Sequence, residues 1–250
     1  MREPFLPSDY RLVTVDTVDS TNAEAKRLAA EGEEKAPDGT IIWAKEQTDG
    51  RGRRGRKWHS PPGNLYCSLI LRPDVALAKA AELSFVAGLA LFDALGSVGE
   101  PGHQVHLKWP NDVLLNGGKV AGILLESIGD FLAIGIGVNL AHAPGADQVE
   151  AGALRPVSVV AETGKVVPPE VFLDALAAEY AQLETQFQTY GFAPIRTAWL
   201  SHAARLGEEI VARTMKDETR GVFEDVDAQG NLILRTPKGR VPITAADVFF

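Results

Sequence analysis

The most apolar stretch of the chain, Ala76 to Val98, carries charge only at Lys79, Glu82 and Asp93. Those charges are too many and too central for a membrane span, so a buried helix is expected over Lys79 to Val98. A helix this apolar needs a sheet to pack against. The strands for that sheet are legible on both sides of it. Thr40 to Lys45 is rich in β-branched residues, and in Leu65 to Arg72 the side chains of Leu65, Cys67, Leu69 and Leu71 fall on one face. Val105 to Lys108 reads as a short strand. Val113 to Leu115, the turn Asn116-Gly117-Gly118 and Lys119 to Glu126 read as a hairpin. Phe131 to Leu140 is a further buried strand whose glycines mark a close approach of backbone or ligand.

Two helices complete the larger part. Thr21-Asn22-Ala23-Glu24 has the letters of a capping box ahead of Ala23 to Ala30, with Gly32 as the stop. Pro168-Pro169-Glu170 opens an amphipathic helix over Val171 to Tyr190, with Phe172, Leu176, Tyr180, Leu183 and Phe187 on its apolar side. After about Leu206 the texture changes to short strand-like pieces separated by turns such as Asp227-Ala228-Gln229-Gly230. This spacing reads as a small β-barrel module. The expected organisation is α+β, with a catalytic-sized domain over 1–205 and a small all-β domain over 206–250.

A chain of 250 residues can bury roughly 70–75% of its unfolded surface and needs no staples. Cys67 is its only cysteine, which excludes an internal disulfide and fits a reducing compartment. The N-terminus has no signal-peptide core, so a cytoplasmic location without membrane attachment is expected. A net charge of -8 argues against a surface built throughout for nucleic acid.

Against that acidic background stands Asp49 to Asn64, DGRGRRGRKWHSPPGN, where Arg51, Arg53, Arg54, Arg56 and Lys57 crowd among three glycines. Such cations repel one another unless an anion sits among them. Gly50-Arg51-Gly52-Arg53-Arg54-Gly55 has the letters of a dinucleotide fingerprint, but that fingerprint must open a helix. Here the loop runs into Ser60-Pro61-Pro62-Gly63, which cannot begin one. No Gly-Lys-Ser/Thr follows, so a P-loop fails too. Two readings remain: a nucleic-acid contact with Trp58 as a stacking platform, or a flexible cationic cover over a small anion. A solvated turn is the bland alternative. For a nucleic-acid module, affinity should fall steeply with salt.

A second cluster is His106-Leu107-Lys108-Trp109-Pro110-Asn111-Asp112. Trp109-Pro110 reads as packing and turn. Lys108 lies among apolar strand residues, where a lysine is rare without an anionic partner. Gly135-Ile136-Gly137-Val138-Asn139 offers bare backbone and then an amide able to both donate and accept. His103 and His106 lack further ligands and read as structural.

Ser20-Thr21-Asn22, the Gly50 to Trp58 loop, Lys108 to Asp112, Lys119-Val120-Ala121-Gly122-Ile123-Leu124 and Gly135 to Asn139 stand in an order and spacing that resembles the biotin protein ligases. The resemblance spans roughly Asp19 to Asn139, and the tail agrees with that family's small barrel. It implies a mixed-sheet domain of the biotin/lipoate ligase type with a C-terminal SH3-like β-barrel. It implies a two-step reaction: biotin and ATP give biotinyl-5′-adenylate and pyrophosphate, and a lysine of a biotin carboxyl carrier protein then takes the biotin. Lys108 and Arg53 would be catalytic. Ser20, Thr21, Asn22, Gln47, Gly50, Arg51, Gly52, Arg53, Lys108, Gly122 and Gly135 would bind biotin, with Gly122 leaving room for its bicyclic head. Arg53, Arg56, Trp58, Lys108 and Asn139 would bind ATP, with Asn139 reading the adenine.

Magnesium is expected with ATP, held mostly by phosphate oxygens and water, with Asn111 and Asp112 as candidate ligands. Nineteen residues precede Ser20, too few for the DNA-binding domain of ligases that double as repressors, so no DNA partner is expected. A homodimer is compatible with the resemblance. The tail is expected to support ATP use or carrier docking and to contribute little to the biotin pocket. A lipoate-type acyl ligase of the same fold is the nearest alternative.

Overall fold

The computed structural model describes residues 2–72, 81–98, 102–150, 152–214 and 216–250. Seven strands form the larger sheet: β1 (Arg11–Val18), β2 (Thr40–Gln47), β3 (Leu65–Leu71), β4 (Val105–Lys108), β5 (Asp112–Leu115), β6 (Gly118–Ile128) and β7 (Phe131–Val138). Their order is β1-β2-β3-β7-β6-β5-β4. Only β1 and β2 run parallel, so the sheet is mixed, as expected. The β5–β6 hairpin turns on Asn116 (φ 49°) and Gly117 (φ 79°), the two left-handed residues that a tight primed turn requires. Gly118, expected as the last residue of the turn, is the first residue of β6.

Helix α1 (Thr21–Ala30) covers one face of the sheet, burying Ala25 against Ile42, Ile70 and Ala133. The other face carries α2 (Leu83–Val98), α4 (Pro169–Tyr190) and α5 (Phe192–Ser201); a short α3 (Val159–Thr163) precedes α4 in the chain. The first residues expected in the apolar helix, Lys79 and Ala80, lie outside the described residues. Its uniform apolarity has a physical reason, because α2 is covered from both sides. Where a side chain on Gly88 would begin, Trp199 of α5 lies at 3.4 Å and Ile123 of β6 at 3.8 Å. Phe85 packs edge-on to Phe192 and Trp199 at 5.1 Å from each. All seven residues of β3 are buried, since helices cover both faces and not the one that alternation suggested.

The capping-box expectation fails. Ser20 is the N-cap and makes no side-chain cap bond; the Thr21 hydroxyl lies inside the first turn and points into a polar network. Gly32 does follow the helix end, at φ 105°.

The tail forms a five-stranded antiparallel sheet of β8 (Glu209–Arg213), β9 (Glu218–Val226), β10 (Leu232–Thr236), β11 (Gly239–Ile243) and β12 (Asp247–Phe249). Its order is β11-β10-β9-β8-β12, with the last strand returning beside the first as in an SH3-like barrel. β12 is absent from the sequence reading because three residues carry no measurable alternation. This module shares the main core: Phe223, Leu234 and Val248 belong to the same apolar cluster as Phe85 and Trp109. Polar seams reinforce the junction. Trp109 Nε1 donates to Gly230 O at 3.0 Å, and Arg196 of α5 grips both oxygens of Asp225 at 2.7 Å. Among the described residues, no helix is long and apolar enough to cross a membrane.

Candidate active site

The cleft is built where chain reversals cluster: the start of α1, the end of β2, the arginine loop, the β4–β5 connection and the middle of β6 and β7. Its volume is about 490 Å³. Every site residue expected from the sequence lines it except Gly50. Gly50 is buried beneath the loop, where a Cβ would lie 2.5 Å from both Trp58 O and Ser60 Oγ. Its lack of a side chain lets the chain fold back on itself, so it shapes the loop without facing the cleft.

One half of the cleft is neutral and polar. Gln47 Oε1 accepts from Thr21 N at 2.9 Å and from the Thr21 hydroxyl at 3.2 Å, and Gln47 Nε2 donates to Ser60 Oγ at 2.9 Å. Ser68 Oγ lies 2.7 Å from Thr21 Oγ1 and 2.6 Å from Asn22 Oδ1. Asn22 Nδ2 donates to Glu126 at 2.7 Å. Gly135 is required here, since a Cβ would sit 2.5 Å from Asn22 Oδ1. This network holds several donors and acceptors in fixed positions at the base of the cleft.

The other half is cationic. Lys108 is 8% exposed, and Asp112 lies between it and Lys119. Asp112 Oδ2 is 3.4 Å from Lys108 Nζ and Oδ1 is 2.6 Å from Lys119 Nζ. Burial lowers the Lys108 pKa, and Asp112 only partly offsets that. Burial acts to raise the Asp112 pKa, but the two lysines overcome it and hold the carboxylate below its usual range. Arg53 is held by Asn111 Oδ1 and by Ala246 O, each at 3.3 Å, and burial lowers its pKa.

The anion that the crowded arginines need is supplied by the chain itself. Asp247 of β12 takes Arg54 at 2.7 Å and Arg56 at 2.5 Å, Arg56 also reaches Glu150 at 3.0 Å, and Arg51 pairs with Asp49 at 2.6 Å. The loop is therefore folded against the β module, with Arg54 at φ 58° and Gly55 at φ 73° turning it. These carboxylates are anions of the kind the crowded cations require. Asp247 through Phe250 of the tail form one wall of the cleft.

Trp58 lies across the strands. A Cβ on Gly137 would come within 2.4 Å of its Nε1, and one on Gly122 within 3.2 Å of its ring. The room over Gly122 is thus filled by Trp58 in this arrangement, and the buried Trp58 Nε1 has no hydrogen-bond partner. Asn139 is 2% exposed; its Nδ2 donates to Val157 O at 3.0 Å. Ser60, Ser68, Glu126, Glu150, Lys119 and Asp247 also belong to the site. None was legible as such, because each acts through partners distant in sequence.

Gly50→Ala is expected to unseat the loop. Strain of about 1–3 kcal/mol confined to it should raise its opening, and so its trypsin cleavage, by about tenfold or more. The global Tm should move by only about 5 °C, as read by a thermal melt beside a digestion time course.

A cleft that sets a polar neutral floor beside a buried lysine and a row of arginines suits joining a polar acid to a phosphate compound. Residues 15–140 match the biotin/lipoate A/B protein ligase family and residues 206–250 the biotin protein ligase C-terminal domain, and the chain belongs to this ligase family. It is 57% identical over 237 residues to the biotin–[acetyl-CoA-carboxylase] ligase of Paracoccus denitrificans, covering 93% of this chain and 97% of that one. It is 34% identical to the bifunctional ligase/repressor BirA of Bacillus subtilis (strain 168), covering 95% of this chain and 73% of that protein. The structure of the biotin protein ligase from Aquifex aeolicus in complex with biotin and ATP superposes with a TM-score of 0.82 at 29% identity, covering 95% of this chain and 97% of that one.

Proposed function

We propose that this chain is an ATP-dependent biotin protein ligase that biotinylates a lysine of a carboxyl carrier protein. The observation that carries the reading is the placement of the buried Lys108 beside a neutral polar network in one cleft. A ureido ring needs neutral donors and acceptors, which Thr21, Asn22, Gln47 and their partners Ser60 and Ser68 provide. A carboxylate and a triphosphate repel each other, and bringing them together takes cations already in place.

In the first step a biotin carboxylate oxygen bonds to the α-phosphorus of ATP as the bond to the β-phosphate oxygen breaks, releasing pyrophosphate. Lys108 and Arg53 stabilise the negative charge on the oxygens around the reacting phosphorus. In the second step the carrier lysine, as its free amine, bonds to the acyl carbon. The acyl–oxygen bond breaks, AMP leaves with that oxygen, and the nitrogen gives up a proton to form the amide.

Arg56 and Trp58 flank the nucleotide. Asn139 Oδ1 faces no donor among the described residues and is free to accept from the adenine amine. Trp58 moves off Gly122 and Gly137 as ligand enters, which also gives its unpartnered Nε1 a route to an acceptor. The candidate magnesium ligands do not fit that role. Asp112 is held by two lysines, and Asn111 donates to Ile123 O and accepts from Arg53. Magnesium is therefore assigned to the nucleotide's own phosphates.

Incubation with biotin, ATP and a carrier domain should label one carrier lysine, detected by mass, and a carrier lacking that lysine should stay unlabelled. Absence of labelling with an active carrier would count against the reading. The arginine loop provides a second check. Cutting by trypsin at Arg51 to Lys57 should slow with biotin, and slow most with biotin plus ATP, as ligand anions join Asp247 in holding the arginines. Protection by DNA alone would favour the nucleic-acid alternative.

A further inference from the structure

Strand β3 reads LYCSLIL, and Ser68 in its middle is fully buried. Ser68 does not line the cleft. It lies beneath Thr21 and Asn22, which do. A hydroxyl in so dry a place is costly without partners, and among the described residues Ser68 has two. Its Oγ is 2.6 Å from Asn22 Oδ1 and 2.7 Å from Thr21 Oγ1. A hydroxyl carries one proton, so Ser68 is the donor in only one of these contacts.

The neighbours decide which. Asn22 Nδ2 donates to Glu126 at 2.7 Å and to the Leu124 carbonyl at 3.3 Å, so the amide oxygen is the atom turned to Ser68. An amide oxygen only accepts. The Ser68 proton therefore goes to Asn22, and the contact with Thr21 is a hydrogen bond only with Thr21 as donor. Gln47 gives the Thr21 proton no route outward. Thr21 N can only donate, which fixes Gln47 Oε1 on the Thr21 side at 2.9 Å. Gln47 Nε2 then faces Ser60 at 2.9 Å, and Ser60 passes its own proton to Trp58 O. The acceptors that the described residues place near the Thr21 hydroxyl are Ser68 Oγ at 2.7 Å and Gln47 Oε1 at 3.2 Å. Both lie within the protein, so Thr21 Oγ1 is left to meet the cleft as an acceptor.

We infer that Ser68 is a specificity-determining residue that never touches the ligand: it draws the Thr21 proton inward, so that the cleft welcomes an N–H of the acid's ring and rejects an acceptor in its place. This rests on the ligase reading above and deepens it, since the ureido N–H groups of biotin are such donors. Gly135 serves the same arrangement. It stands directly across from Ser68 on β7, and a side chain there would begin 2.5 Å from Asn22 Oδ1. Loss of the Ser68 hydroxyl leaves Asn22 Oδ1 without its donor and Thr21 without its nearer acceptor. The Thr21 hydroxyl is then free to turn and donate into the cleft. Ser68→Ala should weaken biotin binding by about tenfold. In exchange kinetics the change should fall on the KM for biotin rather than on kcat, because the lost contact serves ground state and transition state alike.

The deciding experiment is titration calorimetry with biotin and its two cyclic-carbamate analogues, each with one ureido N–H replaced by a ring oxygen. The analogue whose oxygen meets Thr21 should bind the wild-type protein about a hundredfold more weakly than biotin, because two acceptors then face each other. In Ser68→Ala that ratio should fall by about tenfold or more, since the released Thr21 hydroxyl can donate to the ring oxygen. A merely structural role for Ser68 would weaken biotin and analogue alike, and an unchanged ratio would overturn the inference. Should Ser68→Ala not fold, the wild-type protein decides: both carbamates binding as tightly as biotin would show Thr21 donating outward and overturn it. Wild-type protein that binds no biotin would instead overturn the ligase reading itself, so the two failures are distinct.

Discussion

Lys108→Ala is expected to slow formation of the biotinyl adenylate by about a hundredfold or more, equivalent to a loss of at least about 2.7 kcal/mol in transition-state stabilisation. The size follows from burial. At 8% exposure Lys108 acts in a medium where one fixed charge counts for far more than in water, and no solvent cation replaces it. The fold should survive, because Asp112 keeps Lys119 at 2.6 Å and is not left as a bare buried charge. Burst kinetics beside circular dichroism separate the two effects. A folded variant with near-normal adenylate formation would remove Lys108 from the chemistry.

The second large effect concerns the tail. A chain ending at Arg205 is expected to lose its cooperative thermal transition. Cutting there uncovers Phe85, whose ring lies 3.1 Å from the Cβ position of Gly230, and leaves Trp109 Nε1 and the Arg196 guanidinium without partners. Each exposed large apolar side chain costs about 1.5–3 kcal/mol, and each lost hydrogen bond about 0.5–1.5, against a total stability of about 5–15. The shared apolar cluster makes the losses act together. Scanning calorimetry reads the outcome. A truncated chain that melts cooperatively within about 5 °C of the parent would contradict the shared core.

The fold was legible where periodicity is long or turns have fixed chemistry. The α4 helix, the Asn116-Gly117 turn and the strands ending in Lys108 and Val138 are all visible from residue pattern. What the pattern could not supply was anything set by long-range pairing. Thr21 reads as a helix cap by its letters, yet tertiary partners Gln47 and Ser68 claim its hydroxyl. Lys108 reads correctly as a buried lysine in need of an anion. The anion nevertheless comes first from Asp112, four residues on across the same turn. The counterion of the arginine loop lies 191 residues away from Arg56, on a strand too short to recognise. Glycines proved ambiguous in the same way. Gly122, Gly135 and Gly137 each make room for a neighbouring side chain, Trp58 or Asn22, and Gly50 makes room for the loop's own backbone.

In the proposed reaction this cleft joins biotin to the α-phosphate of ATP, and ATP–pyrophosphate exchange reads that step alone, without a carrier protein. With biotin present, labelled pyrophosphate should enter ATP. Lipoate in its place should support exchange at least about a hundredfold less well, because a donor and acceptor network left unpaired rejects a ligand that lacks the ureido group. Exchange driven equally by lipoate, or no exchange with biotin in a folded protein, would contradict the account.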